Sequence, residues 1–287
     1  MNKLKIILEM IKFEHTIFAL PFAYMGAILG SIVVNGVWPT WPQIFWITLA
    51  MVGARSAAMA LNRVIDRVID AKNPRTVTRA IPAGLLSAKE VYVFIIGSFA
   101  LLFFAAFQLN MLAVQLLPLA VFVLVLYSYT KRFTWACHLV LGVAIGLAPL
   151  GGWVATTGRV DAIGLLLFVT VALWTAGFDV IYACQDIEFD KRNGLFSIPS
   201  RFGLASALNL ARWFHVITVL GFIALFFLTD LSIWFAIGIL VAAGILIYEH
   251  RLVSPNDLSK LNTAFFTMNG ILSVVVFVFT ILDLVVK

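Results

Sequence analysis

Two acid-bearing stretches stand out in a chain that is otherwise apolar. The first reads LNRVIDRVIDAKNPRTVTRAIPAG and places Asn62, Asp66 and Asp70 at i, i+4 and i+8. The second reads DVIYACQDIEFDKRNGLFSIPSRFG and places Asp179, Tyr182, Asp186 and Asp190 at i, i+3, i+7 and i+11. Either set falls on one stripe of a helix, with Glu188 on another face. Ionised carboxylates beside hydrocarbon persist only when paired or functional. Hard oxygen donors suit Mg²⁺, which favours carboxylates, water and phosphate oxygens. Asn62, Asp66, Asp70, Asp186 and Asp190 are therefore candidate metal ligands, and two facing clusters predict a clamp on a diphosphate. The interleaved Arg67, Lys72, Arg75, Arg79, Lys191 and Arg192 are candidate phosphate contacts. A diphosphate so neutralised is a good leaving group, because the charge developing on it is stabilised. One such Asp alone would read as a solvated surface ion pair; two clusters at helical spacing do not.

These stretches must be carried by membrane helices. Hydrophobic residues make up 62% of the 287-residue chain and charged residues 12%, where a soluble domain has about a quarter charged. Nine apolar segments, at 16–34, 43–62, 91–108, 111–129, 136–156, 160–184, 208–228, 231–248 and 263–284, are predicted to be transmembrane helices. Residues 2–14 predict a short amphipathic helix on the membrane surface. With the N-terminus cytoplasmic, only Arg159 and Lys287 of the 20 Lys and Arg fall outside, and Arg55 lies within a span. That bias supports N-terminus in, C-terminus out, with both acidic loops (62–90 and 185–207) cytoplasmic. The two loops share an Ile-Pro followed by Gly, a faint sign of internal duplication. No signal peptide is evident, and the net charge of +6 reflects this asymmetry rather than nucleic-acid binding.

Further candidates follow from position. Arg55 lies two turns deeper than Asn62 on nearly the same face, and a cation within a span is a functional candidate. It would pair with Asp179 or meet an acidic group on a substrate. Asp179, deepest in its motif, is the candidate for proton handling or substrate orientation. Tyr127 and Lys131 form Y-x-x-x-K at the end of the fourth span, either an interface anchor or a phosphate contact. His15 opens the first span as an interface residue or a substrate contact. Cys137 and Cys184 read as packing residues, and Gly142, Gly146, Gly151 and Gly152 as points of close helix contact.

The two motifs resemble the UbiA family of intramembrane prenyltransferases, whose signatures are N-D-x-x-D-x-x-x-D and D-x-x-Y-x-x-x-D-x-x-x-D. Arg63 stands where many members carry Asp. The resemblance implies nine helices around a central cavity with a cytoplasmic cap, formed by the single domain 1–287. It implies Mg²⁺ and a prenyl diphosphate at the cavity mouth, ionisation of the allylic C–O bond, and attack by an electron-rich aromatic ring. It adds weight to Arg55, Tyr127, Lys131 and Tyr182 as site residues. The stretch KFEHTIFALPFAYMGAILG, together with the motifs, is similar to members that prenylate 4-hydroxybenzoate in quinone synthesis, and to a branch that prenylates an aromatic futalosine derivative for menaquinone. The implied partners are a prenyl diphosphate, a small aromatic acceptor and the lipid bilayer of a bacterial or archaeal plasma membrane, with no nucleic acid or protein partner. A transporter is the rival reading, but its carboxylates are expected at the bilayer midplane rather than at one face.

Overall fold

The computed structural model describes residues 3–12 and 19–286. Its elements, in order, are α1 (Lys3–Met10), α2 (Leu20–Asn35), α3 (Trp41–Ile65), α4 (Arg67–Asp70), α5 (Ala88–Phe107), α6 (Met111–Thr130) and α7 (Cys137–Thr157). There follow α8 (Ala162–Ala183), α9 (Ile187–Arg192), α10 (Ile198–Phe202), α11 (Leu204–Leu228), α12 (Ile233–Arg251) and α13 (Asn269–Val286). A 3₁₀ turn, Cys184–Asp186, joins α8 to α9, and a π-helical turn, Thr263–Met268, leads into α13. Among the described residues there is no strand, only an isolated bridge between Ser254 and Asp257.

Among the described residues eight helices are long and apolar enough to cross a membrane, and each overlaps one of the segments expected from hydropathy. The expected first span, 16–34, corresponds to α2, which has 16 residues; part of that segment lies outside the described residues. The helix starts carry the expected signals. Thr40 and Ser87 form capping boxes with Gln43 and Glu90, and Asn110 and Asp161 accept the N–H of Ala113 and Gly164. At α12 the cap comes from another helix: the buried carboxylate of Asp283 accepts from the Ser232 and Phe235 N–H groups and the Ser232 hydroxyl.

Each of these eight helices and α2 packs on the next in chain order (α2, α3, α5, α6, α7, α8, α11, α12, α13), and α13 packs back on α2, closing a ring. The long α2–α7 contact pinches this ring into two lobes. Lipid tails are as apolar as the helices, so close backbone approach rather than hydrophobic burial must hold that pinch. Glycines permit it: a Cβ on Gly26 would sit 2.0 Å from the Pro149 carbonyl oxygen, and one on Gly152 would sit 2.1 Å from that of Ala23. Gly142 and Gly146 serve the α7–α8 contact in the same way, as expected, whereas Gly151 faces open space. One lobe is filled by a core of Phe22, Trp153, Trp174, Phe222, Phe235 and Leu272 and their neighbours. The other, walled by α3, α5, α6 and α7, is hollow.

The amphipathic helix expected over 2–14 is α1. It buries Ile6 and Met10 against Ala60 and Val64 of α3 and Val91 and Ile95 of α5. Both cysteines are buried and free, in keeping with a packing role.

Candidate active site

Neither acidic motif sits on one unbroken helix, which corrects the expectation of a continuous stripe. α3 stops at Ile65, Asp66 adopts φ −85° and ψ 0°, and α4 restarts at Arg67. α8 stops at Ala183, and the 3₁₀ turn bearing Asp186 precedes α9. The two breaks turn the chain at the end of the bundle, yet all the motif acids still face one cavity. That cavity has a volume of about 680 Å³ and is lined by Asn62, Asp66, Asp70, Asp179, Tyr182, Asp186 and Asp190. Arg55, Arg63, Asn73, Arg75, Arg79, Tyr127, Lys131, His138 and Ser197 are among the other polar residues of its wall.

Each carboxylate has its own partner, mostly drawn from another element. Asp66, 2% exposed, accepts from Lys131 Nζ at 2.9 Å, Arg132 Nη2 at 2.8 Å and Asn62 Nδ2 at 3.0 Å. Asp70 receives Arg79 Nη1 on both oxygens at 2.8 Å. Asp186 receives Arg75 through Nε at 3.0 Å and Nη2 at 2.5 Å, and Asn73 Nδ2 at 3.2 Å. The loop after the first motif thus braces the second. An Asx-type turn, in which Asn73 Oδ1 accepts the Arg75 N–H at 2.9 Å, aims that arginine. Burial works against the Arg75 charge, but the paired Asp186 carboxylate outweighs it and holds the guanidinium above its ordinary value. Arg75 also donates to the Tyr182 hydroxyl at 3.3 Å. Asp190 accepts from Ser197 Oγ at 2.9 Å, and Ser197 in turn caps α10.

Deeper in the cavity, Asp179 Oδ2 lies 2.6 Å from His138 Nδ1. His138 Nε2 is 3.3 Å from the Ile198 N–H, which can only donate. The ring therefore carries its hydrogen on Nδ1 and donates it to Asp179. Arg55 lines the cavity, with Nη2 3.5 Å from the Lys12 carbonyl oxygen.

Four expected phosphate contacts are not brought to this wall. Arg67, Lys72, Lys191 and Arg192 are exposed and do not line the cavity. Arg67 and Lys191 directly follow Asp66 and Asp190, and a one-residue step turns a side chain about 100° round a helix. Arg67 donates instead to the Val64 carbonyl at 2.8 Å. His15 lies outside the described residues. The site also holds members that sequence reasoning missed. Arg132 neighbours Lys131 and carried no separate signal. His138 is a single His at the start of an apolar run, with its partner Asp179 on another helix. Arg63, noted only as a departure from the family pattern, donates to Asn62 Oδ1 at 3.2 Å and reaches the Met10 carbonyl.

The donor set fits a hard divalent cation: Asp66, Asp70, Asp186 and Asp190 offer carboxylate oxygens, with amide oxygens at Asn62 and Asn73. Among the described residues no three His, Cys, Asp or Glu side chains converge as one ready metal group. Arginines and lysines supply positive charge at Asp66, Asp70 and Asp186.

The polar cavity opens into the hollow lobe. That apolar chamber, about 420 Å³, is lined by Ala54, Ala58, Leu117, Ala144 and Ala148, among others, and shares Arg55, Met59, Tyr127 and Leu141 with the polar cavity. A charged pocket thus continues into a long apolar one, with Arg55 and Tyr127 at the junction.

Comparisons with known proteins bear on the family and the fold. The UbiA prenyltransferase family matches residues 19–271. The 4-hydroxybenzoate octaprenyltransferase of Vibrio campbellii is 31% identical over 248 residues, covering 83% of this chain and 84% of its own. That of Aliivibrio fischeri is 30% identical over 236 residues, covering 80% of each. Among solved structures, the apo UbiA homolog from Aeropyrum pernix K1 superposes with a TM-score of 0.85 at 33% identity, over 94% of this chain and 98% of that one. A UbiA homolog from Archaeoglobus fulgidus bound to GPP and Mg²⁺ shares the fold, with a TM-score of 0.73 at 19% identity over 98% and 99% of the two chains. The chain is an integral membrane enzyme and belongs to the UbiA prenyltransferase family.

Proposed function

We propose that the enzyme transfers a polyprenyl chain from a polyprenyl diphosphate to the ring of a 4-hydroxybenzoate-type acceptor, with release of diphosphate and dependence on Mg²⁺. The observation that carries this reading is the junction itself: an acid- and cation-lined cavity running into an apolar chamber within one wall of helices. The names of the curated relatives support the acceptor. The Mg²⁺- and GPP-bound homolog, related in fold, supports the donor class.

Asp66 and Asp70 on one side and Asp186 and Asp190 on the other would hold the metal, with Asn62 as a neutral oxygen donor. When bound, Mg²⁺ draws negative charge from the diphosphate and so eases its departure. Arg75, Arg79 and Lys131, which line the same cavity, would take up charge as the leaving group forms, with Arg132 holding Asp66 from behind. The polyprenyl tail lies in the Ala-rich chamber, which places its allylic carbon near Arg55 and Tyr127. The allylic C–O bond breaks with its electron pair going to the diphosphate. A ring carbon of the acceptor then forms the new C–C bond, and the proton on that carbon is lost. Asp179 is placed to orient the acceptor or accept that proton, because His138 Nδ1–H holds one of its oxygens and keeps the carboxylate as an acceptor. Arg55 meets the acceptor's carboxylate.

In this reading all nine hydrophobic helices span, the motif loops and α1 form a cytoplasmic cap, and the C-terminus is outside. The test is incubation of the purified protein with Mg²⁺, a labelled polyprenyl diphosphate and either 4-hydroxybenzoate or an aromatic futalosine derivative, followed by mass analysis. Prenylated 4-hydroxybenzoate is expected, and none after chelation. Transfer only to the futalosine derivative would reassign the acceptor, and transfer to neither would overturn the aromatic reading.

A further inference from the structure

Behind the cavity wall, helix regularity fails between α12 and α13. Thr263–Met268 is π-helical, a form found mostly as single turns and frequently at functional sites. The residue that closes this turn is Asn269, wholly buried. Its Nδ2 lies 3.1 Å from the Ala264 carbonyl oxygen, 3.0 Å from that of Phe265 and 3.2 Å from Glu249 Oε1. Its Oδ1 accepts from Trp174 Nε1 at 2.8 Å. An indole N–H only donates, so the amide cannot be flipped: oxygen faces Trp174 and nitrogen faces the turn. One side chain thus ties together α8, α12, the π turn and α13. Glu249 is also wholly buried; among the described residues its Oε2 has no hydrogen-bond partner, and its Oε1 accepts from Asn269.

What Asn269 holds faces the cavity. Phe265 and Phe266 project from the π turn into the lining. Phe265 stacks on Tyr182 with centroids 4.0 Å apart and meets Phe178 edge-on at 5.4 Å; Phe178 meets Trp174 at 4.9 Å. Tyr182 receives Arg75, which holds Asp186. Asn269 therefore grips both ends of an aromatic row, Trp174 directly and Phe265 through its own carbonyl, and the row abuts the second acidic motif.

We propose that Asn269, backed by Glu249, is a positioning residue for the transfer reaction: it fixes the aromatic row against Tyr182 and so sets the slot in which the acceptor ring lies beside Asp179. This rests on reading the cavity as the transfer site. A residue that only satisfied the π turn would affect folding, and would not act through Phe265.

The test uses the full chain in lipid nanodiscs, with Asn269→Ala, Phe265→Leu, their double variant, and Glu249→Gln, whose amide oxygen can still accept from Asn269. Asn269→Ala is expected to raise KM for the aromatic acceptor about tenfold while leaving KM for the prenyl diphosphate within about twofold. The double variant is expected to be no worse than Phe265→Leu alone, since the two act as one unit. Amide hydrogen exchange over residues 263–268 should quicken in Asn269→Ala and not over α5. Additive effects of the two substitutions, equal rises in both KM values, or unchanged exchange would each overturn the proposal. Should Asn269→Ala fail to fold, Glu249→Leu removes one of the three acceptors and must show the same selective KM shift in weaker form; its absence overturns the proposal. If the wild type transfers to no aromatic acceptor, the functional reading fails on its own. The positioning claim is then decided by exchange over 263–268 and by the resonance of a fluorine-labelled Trp174, which Asn269→Ala must shift.

Discussion

At the scale of single residues, the cavity is a set of carboxylates distinguished by their partners. Asp66, Asp70 and Asp186 are bound to guanidinium or ammonium groups, Asp190 to a hydroxyl, and Asp179 to an imidazole. That difference supports separate tasks. Replacing Asp179 by Asn keeps the shape but puts an amide where the His138 N–H now donates. In the proposed mechanism, turnover should fall by about 10² or more while binding of the prenyl diphosphate is retained, as steady-state rates and equilibrium binding would report. Wild-type turnover would remove Asp179 from the chemistry. The motif acids were legible because a helical repeat of carboxylates in an apolar chain has few innocent explanations. His138, Arg132 and Asn269 were not, because their meaning comes from partners on other helices: Asp179 lies 41 residues from His138, and Trp174 lies 95 from Asn269. Arg67, Lys72 and Lys191 show the converse. Proximity in sequence to an acid said nothing of which way each cation would point.

At the scale of elements, hydropathy located the eight long helices to within a few residues, since a bilayer span must be long, apolar and helical. Periodicity could not reveal the breaks at Asp66 and at Cys184–Asp186, because a one-residue change of backbone conformation leaves spacing intact. Nor could it reveal the π turn, where the Asn269 side-chain amide meets the Ala264 and Phe265 carbonyls, a bond that spacing does not announce. The glycines were readable as contact points but not with their partners. Gly152→Val would drive a side chain into the Ala23 carbonyl, 2.1 Å from the first added atom, with backbone on both sides. Overpacking of this kind costs about 1–3 kcal/mol, so a lower Tm is expected in thermal unfolding of the detergent-solubilised protein. Gly151→Ala, facing open space, is the matched control and should leave Tm unchanged.

At the scale of the whole molecule, the pinched ring separates a solid lobe from a hollow one, and the proposed function assigns the long apolar tail to the hollow lobe. Small residues give it its volume. Ala144→Phe is expected to shift donor preference toward shorter prenyl diphosphates, measurable by competing two chain lengths and weighing the products. Unchanged chain preference would place the tail elsewhere. The proposed orientation makes its own prediction: a reporter joined after Lys287 should be active only on the outer face, while cysteine probes placed at Lys72 should label from the cytoplasm. The ring also has an order in time. A chain threaded into the membrane from its N-terminus lays down α2 to α12 before α13 exists. Until α13 arrives, α2 lacks its neighbour on one side, α12 lacks the Asp283 that caps it, and the cavity lacks Phe265 and Phe266. The nascent chain is therefore an open trough, with Glu249 lacking its bond from Asn269 and the cavity lacking its last aromatic wall. The candidate pocket is completed late in synthesis, by the segment that seals the gap.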